Sequence, residues 1–227
     1  MAALLLSAEG YVAAEGWWSL QPLAKVDLPS NGFAKHPIDA FVQQRLTKAG
    51  LDSSQLAEPR TLIRRLHFDL LGLPPSPKTV AEFIGNPTDP AYRQLIDRLL
   101  ASPRYGERWG RYWLDLAGYA DSEGGISADP LRPVAWKYRD YVIQAFNQDK
   151  PYDDFLLEQL AGDEMLGQIQ PSTVTNDTID KLVATGFLRM GIDETGSRTM
   201  NFVPERLKVV ADVLSVVSSG LMGLTME

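Results

Sequence analysis

With 227 residues, 44% of them hydrophobic and 22% charged, the chain is long enough to bury a core and has the balance of an ordinary globular protein. It has no cysteine and only two histidines, His36 and His67, which excludes disulfides, thiolate nucleophiles, sulfur-ligated metals and a multi-histidine centre. The net charge of -7 gathers in the second half, where residues 111–227 hold 18 acids against 10 bases; that excludes the basic footprint of a nucleic-acid groove and leaves open a solvated acidic surface or cation binding.

The opening MAALLLSAEG lacks a basic n-region and does not read as a signal peptide, and no later run of about 18 apolar residues predicts a membrane span. Residues 1–35, through WWSLQPL and DLPSNG, read as an extended, irregular arm ahead of a single helical domain over 36–227. From there the chain repeats one start signal, a capping or extended residue followed by proline: His36-Pro37, Glu58-Pro59, Ser76-Pro77, Asp89-Pro90 and Ser102-Pro103. Apolar residues follow at helical spacing. Ile38, Phe41, Val42 and Leu46 make one stripe, stopped by Gly50. Leu62, Ile63, Leu66 and Leu70 make the next, stopped by Gly72 and Pro74-Pro75, and Tyr92, Leu95, Ile96, Leu99 and Leu100 a third. Residues 134–147 and 153–162 predict two more helices. Residues 204–220 predict a last one, apolar nearly all round apart from Lys208, Asp212, Ser215 and Ser219, the pattern of a central helix. Alternating β-branched runs are missing. The fold class predicted is mainly α, a compact multi-helix domain with an irregular extended N-terminal segment and no internal repeat.

Chemistry concentrates in RWGRYWLDLAGYADSEGG, Arg108 to Gly125. On the helix from Pro103, the residues Tyr105, Trp109, Trp113, Leu116 and Ala120 share the face expected to meet the core. Arg108, Arg111, Tyr112, Asp115 and Tyr119 share the other, which is expected to meet another element through hydrogen bonds. Asp115, Asp121 and Glu123 are candidate catalytic or cation-holding carboxylates, since hard cations need several oxygens and paired carboxylates can divide acid and base roles. The alternative pairs Asp115 with Arg111 and uses Asp121 to end the helix. Arg132 and Arg139 are candidate ligand-binding residues, with Tyr119 and Trp136 beside them; the arginines either clamp an anion bidentately or neutralise the carboxylates. Gln159 and Asp163 are weaker candidates. His67 reads as a packed, hydrogen-bonded histidine and His36 as a helix cap. Nothing matches a nucleophile elbow, a dinucleotide fingerprint or a phosphate loop. The acids of Asp193-Glu194-Thr195-Gly196-Ser197-Arg198 belong to an expected loop.

The strings HPIDAFVQQRL, RTLIRRLHFDLLGLPPSP, LIDRLLASPRYGERWGRYWLDLAGYADS, RPVAWKYRDYVIQAFNQDKPYDDFLLEQLAGDE and ATGFLRMG together resemble the planctomycete cytochrome-c-associated second domain. That is a domain of unknown function from large exported bacterial proteins, and the likeness runs from Trp18 through nearly the whole chain. Trp113, Asp115, Tyr119, Asp121, Arg132, Arg139 and Asp163 match its pattern, whereas Gly118 stands where a basic residue is expected. The resemblance implies a haem c domain before this one, a large domain after it, and a Cys-x-x-Cys-His segment just beyond a stretch like GLMGLTME. It therefore implies a C-terminally truncated chain, with haem c possible in the full-length protein and assigned to no residue present.

Two functions of different class follow as expectations. One is a helical module of an exported multidomain c-type cytochrome-like protein, scaffolding or contacting a haem or substrate domain in electron transfer. Its partners would be other domains of the same protein and a redox partner or polysaccharide. In that setting Trp109, Trp113, Trp136 and the Trp17-Trp18 pair would pack near the cofactor. The other is an enzyme domain, with glycans as one substrate class, and has Asp115, Asp121 and Glu123 at its centre with Arg132 or Arg139 orienting substrate. Calcium binding for structural reasons is a third.

Overall fold

The computed structural model describes residues 21–29, 36–124, 129–167, 174–192 and 202–224. Among them are nine α-helices and no strand, only an isolated antiparallel bridge between Ser122 and Leu131, so the mainly α class holds. No described helix is long and apolar enough to cross a membrane. The Trp17-Trp18 pair and the segment Asp193 to Arg198 lie outside the described residues. The chain divides into two compact units, Met1–Leu56 and Ala57–Glu227.

In the first unit, α1 (Pro37–Lys48) begins behind His36, whose Nδ1 accepts the Ile38 N–H at 3.2 Å, the capping role expected of it. The helix ends at Ala49, and Gly50 follows in the left-handed region at φ 69°.

The second unit holds α2 (Pro59–Leu71), α3 (Pro77–Gly85), α4 (Asp89–Leu100), α5 (Pro103–Ala117), α6 (Ala135–Asn147), α7 (Tyr152–Ala161), α8 (Asn176–Ala184) and α9 (Phe202–Val216). Ser76 and Ser102 cap α3 and α5 as expected, accepting from Thr79 N–H at 3.1 Å and Arg104 N–H at 3.4 Å. At α4 the cap is Thr88 rather than Asp89: its hydroxyl accepts the Ala91 N–H, and both Asp89 and Pro90 fall in the first turn, where an acid is favoured. Two cores result. Ile63, Phe83, Leu95 and Leu99 join α2, α3 and α4; Trp113, Tyr138, Tyr141, Val142, Phe155 and Phe187 lead the larger core of α5 to α8 and the short 3-10 turn Thr185–Arg189.

Two expectations about faces are corrected. The buried side of α5 is Gly106, Gly110, Trp113 and Ala117; of the expected stripe, Trp113 is buried and Leu116 packs against the larger core, whereas Tyr105 and Trp109 do not join it. The glycines let α6 approach so closely that a Cβ on Gly106 would lie 2.3 Å from the Ile143 carbonyl oxygen. The large rings are left on the flank, where Tyr105, Trp109 and Tyr112 succeed one another at 6.2 and 5.6 Å between centroids. Ala120 is outside the helix, because Gly118 turns left-handed at φ 68° and the Tyr119 N–H closes onto the Leu114 carbonyl at 2.9 Å. The second correction is α9. It is not central, since Val203, Leu207, Val210 and Leu214 are exposed along it. It continues into a π turn, Val217–Leu221, where Gly220 comes against Leu116.

Candidate functional site

The loop after α5 returns to the start of α6 through backbone bonds: Arg132 N–H to the Asp121 carbonyl at 2.8 Å, and Glu123 N–H to the Pro130 carbonyl at 3.1 Å. This ladder brings Tyr119, Asp121, Glu123, Arg132 and, one turn into α6, Arg139 into one neighbourhood. Asp115 stands apart from it. Its carboxylate lies 3.8 Å from Arg111 Nε, one helical turn back, with the two side chains 68% and 72% exposed. That is a surface ion pair, worth about 0.5 kcal/mol or less, so Arg111 and Asp115 face solvent, whereas Arg108 on the same face does meet another element, lying against Gly72 at the end of α2.

Within the loop cluster, the Tyr119 hydroxyl donates to Asp121 Oδ1 at 2.7 Å. Burial of the phenol, together with that bond and the Asp121 charge, pushes the Tyr119 pKa up to about 12, with Arg139 opposing. Arg139 itself grips Asp140, donating from Nε and an Nη to Oδ1 at 3.0 and 2.8 Å. Arg132 does use its fork, but on carbonyls: its two terminal nitrogens donate to Met190 O at 2.8 Å and Gly191 O at 2.6 Å, just past the 3-10 turn. A guanidinium so engaged ties the loop to the end of that turn. Asp129 closes the loop from the other side, accepting the Gly124 N–H at 2.8 Å. That bond, then the Ser122 hydroxyl and Arg132, hold its carboxyl below the usual range. The exposed Trp136 indole donates to the Pro133 carbonyl at 3.1 Å. Asp163 is exposed beyond α7. Among the described residues no three His, Asp or Glu side chains come close enough to hold a metal ion.

The strongest polar chemistry lies instead inside the larger core. Gln159, fully buried on α7, accepts with one oxygen from Trp113 Nε1 at 2.7 Å and from the Tyr138 hydroxyl at 2.6 Å; its Nε2 donates to the Phe155 carbonyl at 3.1 Å. One turn-neighbour away, the buried Glu158 carboxylate accepts from the Tyr141 hydroxyl at 2.7 Å and from the Lys150 ammonium. That ammonium also lies 5.0 Å from the Tyr141 ring centroid. Burial first, then the Glu158 bond and charge, drive the Tyr141 hydroxyl well above its ordinary pKa, and it stays a donor. These groups fasten α5, α6 and α7 to one another with the members of each set satisfied. The sequence signal is slight: Glu158 and Gln159 share a helical stripe with Phe155, but Phe155 is the single large apolar residue on it.

A third feature is an apolar groove of about 570 Å³ between the C-terminal end of α5, the 3-10 turn and α9. Leu116, Phe187, Leu188, Val209 and Val213 line it, and Arg189 and Arg206 are its basic members. No curated protein and no solved structure matched the chain in comparison. A family model does match, over residues 37–227, which takes in all nine helices, the loop cluster, the buried network and the groove. The chain belongs to the PSCyt2 family, described as a protein of unknown function (DUF1549).

Proposed function

We propose that this domain is a non-catalytic helical module that docks another domain of one exported multidomain protein, a haem c domain or a substrate-handling domain in an electron-transfer assembly. The observation that carries the docking is α9. Val203, Leu207, Val210 and Leu214 recur along one side of it, all exposed and continuous with the apolar groove, and a contiguous apolar surface of that kind is the mark of an interaction site. The haem setting and the export rest on the resemblance to the planctomycete cytochrome-associated domain. Asp115 in a surface pair, Asp121 under Tyr119 and Arg132 on two carbonyls are each held in structural contacts, so nothing in their geometry favours the enzyme reading.

The test compares hydrogen exchange in this chain and in the native polypeptide, the latter matured in a host that attaches haem c. Docking expects the α9 amides to be protected in the native polypeptide well beyond their protection here, alongside a c-type absorption spectrum. Equal exchange in the two forms overturns docking. Protection with no haem band keeps docking and removes haem as the partner's cofactor.

A further inference from the structure

Where α6 gives way to α7, the chain forms a cup of about 230 Å³, smaller than the cavities that take drug-sized ligands. Trp113 and Phe155 are its buried aromatic members, 4.8 Å between ring centroids and close to edge-on. Tyr105, Phe146 and Tyr152 complete an aromatic lining. Two charged residues, Asp149 and Lys150, stand beside them.

The charges are not equivalent. The Lys150 ammonium is neutralised by Glu158, and neither Glu158 nor Tyr141, which holds it, belongs to the lining. The Asp149 carboxylate is exposed and has no ion pair among the described residues. Its backbone is unusual as well. At φ 50° it is the sole non-glycine residue among those described with positive φ. It sits just past the end of α6, where the Lys150 N–H returns to the Ala145 carbonyl at 3.0 Å. Glycine or asparagine suits that left-handed position better, and a helix C-terminus disfavours an acid. Aspartate tolerates left-handed backbone, but its negative charge stands at the helix end that favours a cation, with no ion pair among the described residues to offset it. Aromatic rings and one uncompensated carboxylate are the chemistry that recognises alkylated ammonium groups.

We propose that this cup binds a small organic cation, with its alkyl groups against the rings of Tyr105, Phe146 and Tyr152 and its charge beside Asp149. The site is independent of the α9 docking face. The probe is choline, titrated calorimetrically into the chain, with the uncharged analogue that has carbon in place of the quaternary nitrogen as control. Choline should bind saturably and the analogue about tenfold more weakly. Asp149→Asn, which keeps a residue suited to left-handed backbone, should weaken choline several-fold and leave the analogue unchanged. Tyr152→Leu, on an exposed rim position, should also weaken choline, by removing a ring while keeping an apolar side chain. The absence of saturable choline binding overturns the proposal. So does equal binding of the two probes, which would make the cup merely apolar.

Discussion

Gln159 satisfies two donors from two other helices with a single oxygen, so its removal is felt in three elements at once. Gln159→Leu keeps the volume and leaves the Trp113 indole and Tyr138 hydroxyl to bond only to each other, at 3.1 Å. A loss of about 1–3 kcal/mol is expected by urea denaturation. The neighbouring Glu158–Lys150 pair predicts a different pattern. Removing one partner, as in Glu158→Leu, strands a largely buried ammonium and should cost about 3 kcal/mol or more. Joining it to Lys150→Met should recover the part due to the stranded ammonium, because a paired charge in the interior adds little over a well-packed apolar pair, while the Tyr141 hydroxyl stays without its Glu158 acceptor. A double-mutant cycle with additive losses would contradict the coupling. His67 supplies the pH dependence. Burial first, and then Arg98, hold its imidazole below the ordinary value of 6.5, and its Nε2 is buried without a hydrogen-bond partner. The unfolded chain therefore takes up the proton first as pH falls. Stability is complete above about pH 6.5 and is lost as pH drops toward the lower folded value. The urea midpoint should fall between pH 7.5 and pH 5, and His67→Leu should flatten that slope.

Among the elements, the α5–α6 seam separates two glycines that look alike in sequence. A Cβ on Gly106 would meet a backbone carbonyl at 2.3 Å, which only displacement of one helix relieves; Gly106→Ala should cost about 3 kcal/mol or more. On Gly110 the same atom would find Val142 Cγ1 at 3.4 Å, an ordinary contact. Gly110→Ala should be neutral or stabilise by up to about 1 kcal/mol through helix propensity. Equal losses at both positions, measured by chemical denaturation, would contradict the seam. This contrast also marks the limit of reading the fold from the chain. Helix starts were legible because proline and its capping neighbour act locally, and Gly50 and Gly72 stop helices for equally local reasons. The face of α5 was legible only at Trp113 and Leu116, because hydrophobic periodicity counts rings and misses glycine, whose contribution is the space it leaves for α6. The polar candidates divided for a related cause. Tyr119 and Asp121 are neighbours in sequence and meet, whereas Arg132 found its partners 58 and 59 residues away. Gln159 was legible only as a weaker site candidate, and its place in the core, set by partners on α5 and α6, was not.

At the scale of the whole molecule, the larger core is closed by α5 to α8, and α9 brings to it only one side. Its pattern is apolar nearly all round, which in a closed fold would make it central; instead Leu207 is 67% and Leu214 49% exposed. An apolar residue on the outside contributes little to the stability of its own chain, because its surroundings hardly change on unfolding. Charges placed there should therefore be nearly silent thermally. Leu207→Lys combined with Leu214→Lys should move Tm by no more than about 2 °C, against several degrees for a single cavity at Val142 or Phe155. The same double variant should lower any self-association seen by sedimentation at high concentration, since it breaks the apolar surface. A large fall in Tm would mean that α9 packs its outer side against its own chain, and the docking face would be lost with it. A silent Tm with reduced association leaves that face with one role, contact with something outside this domain.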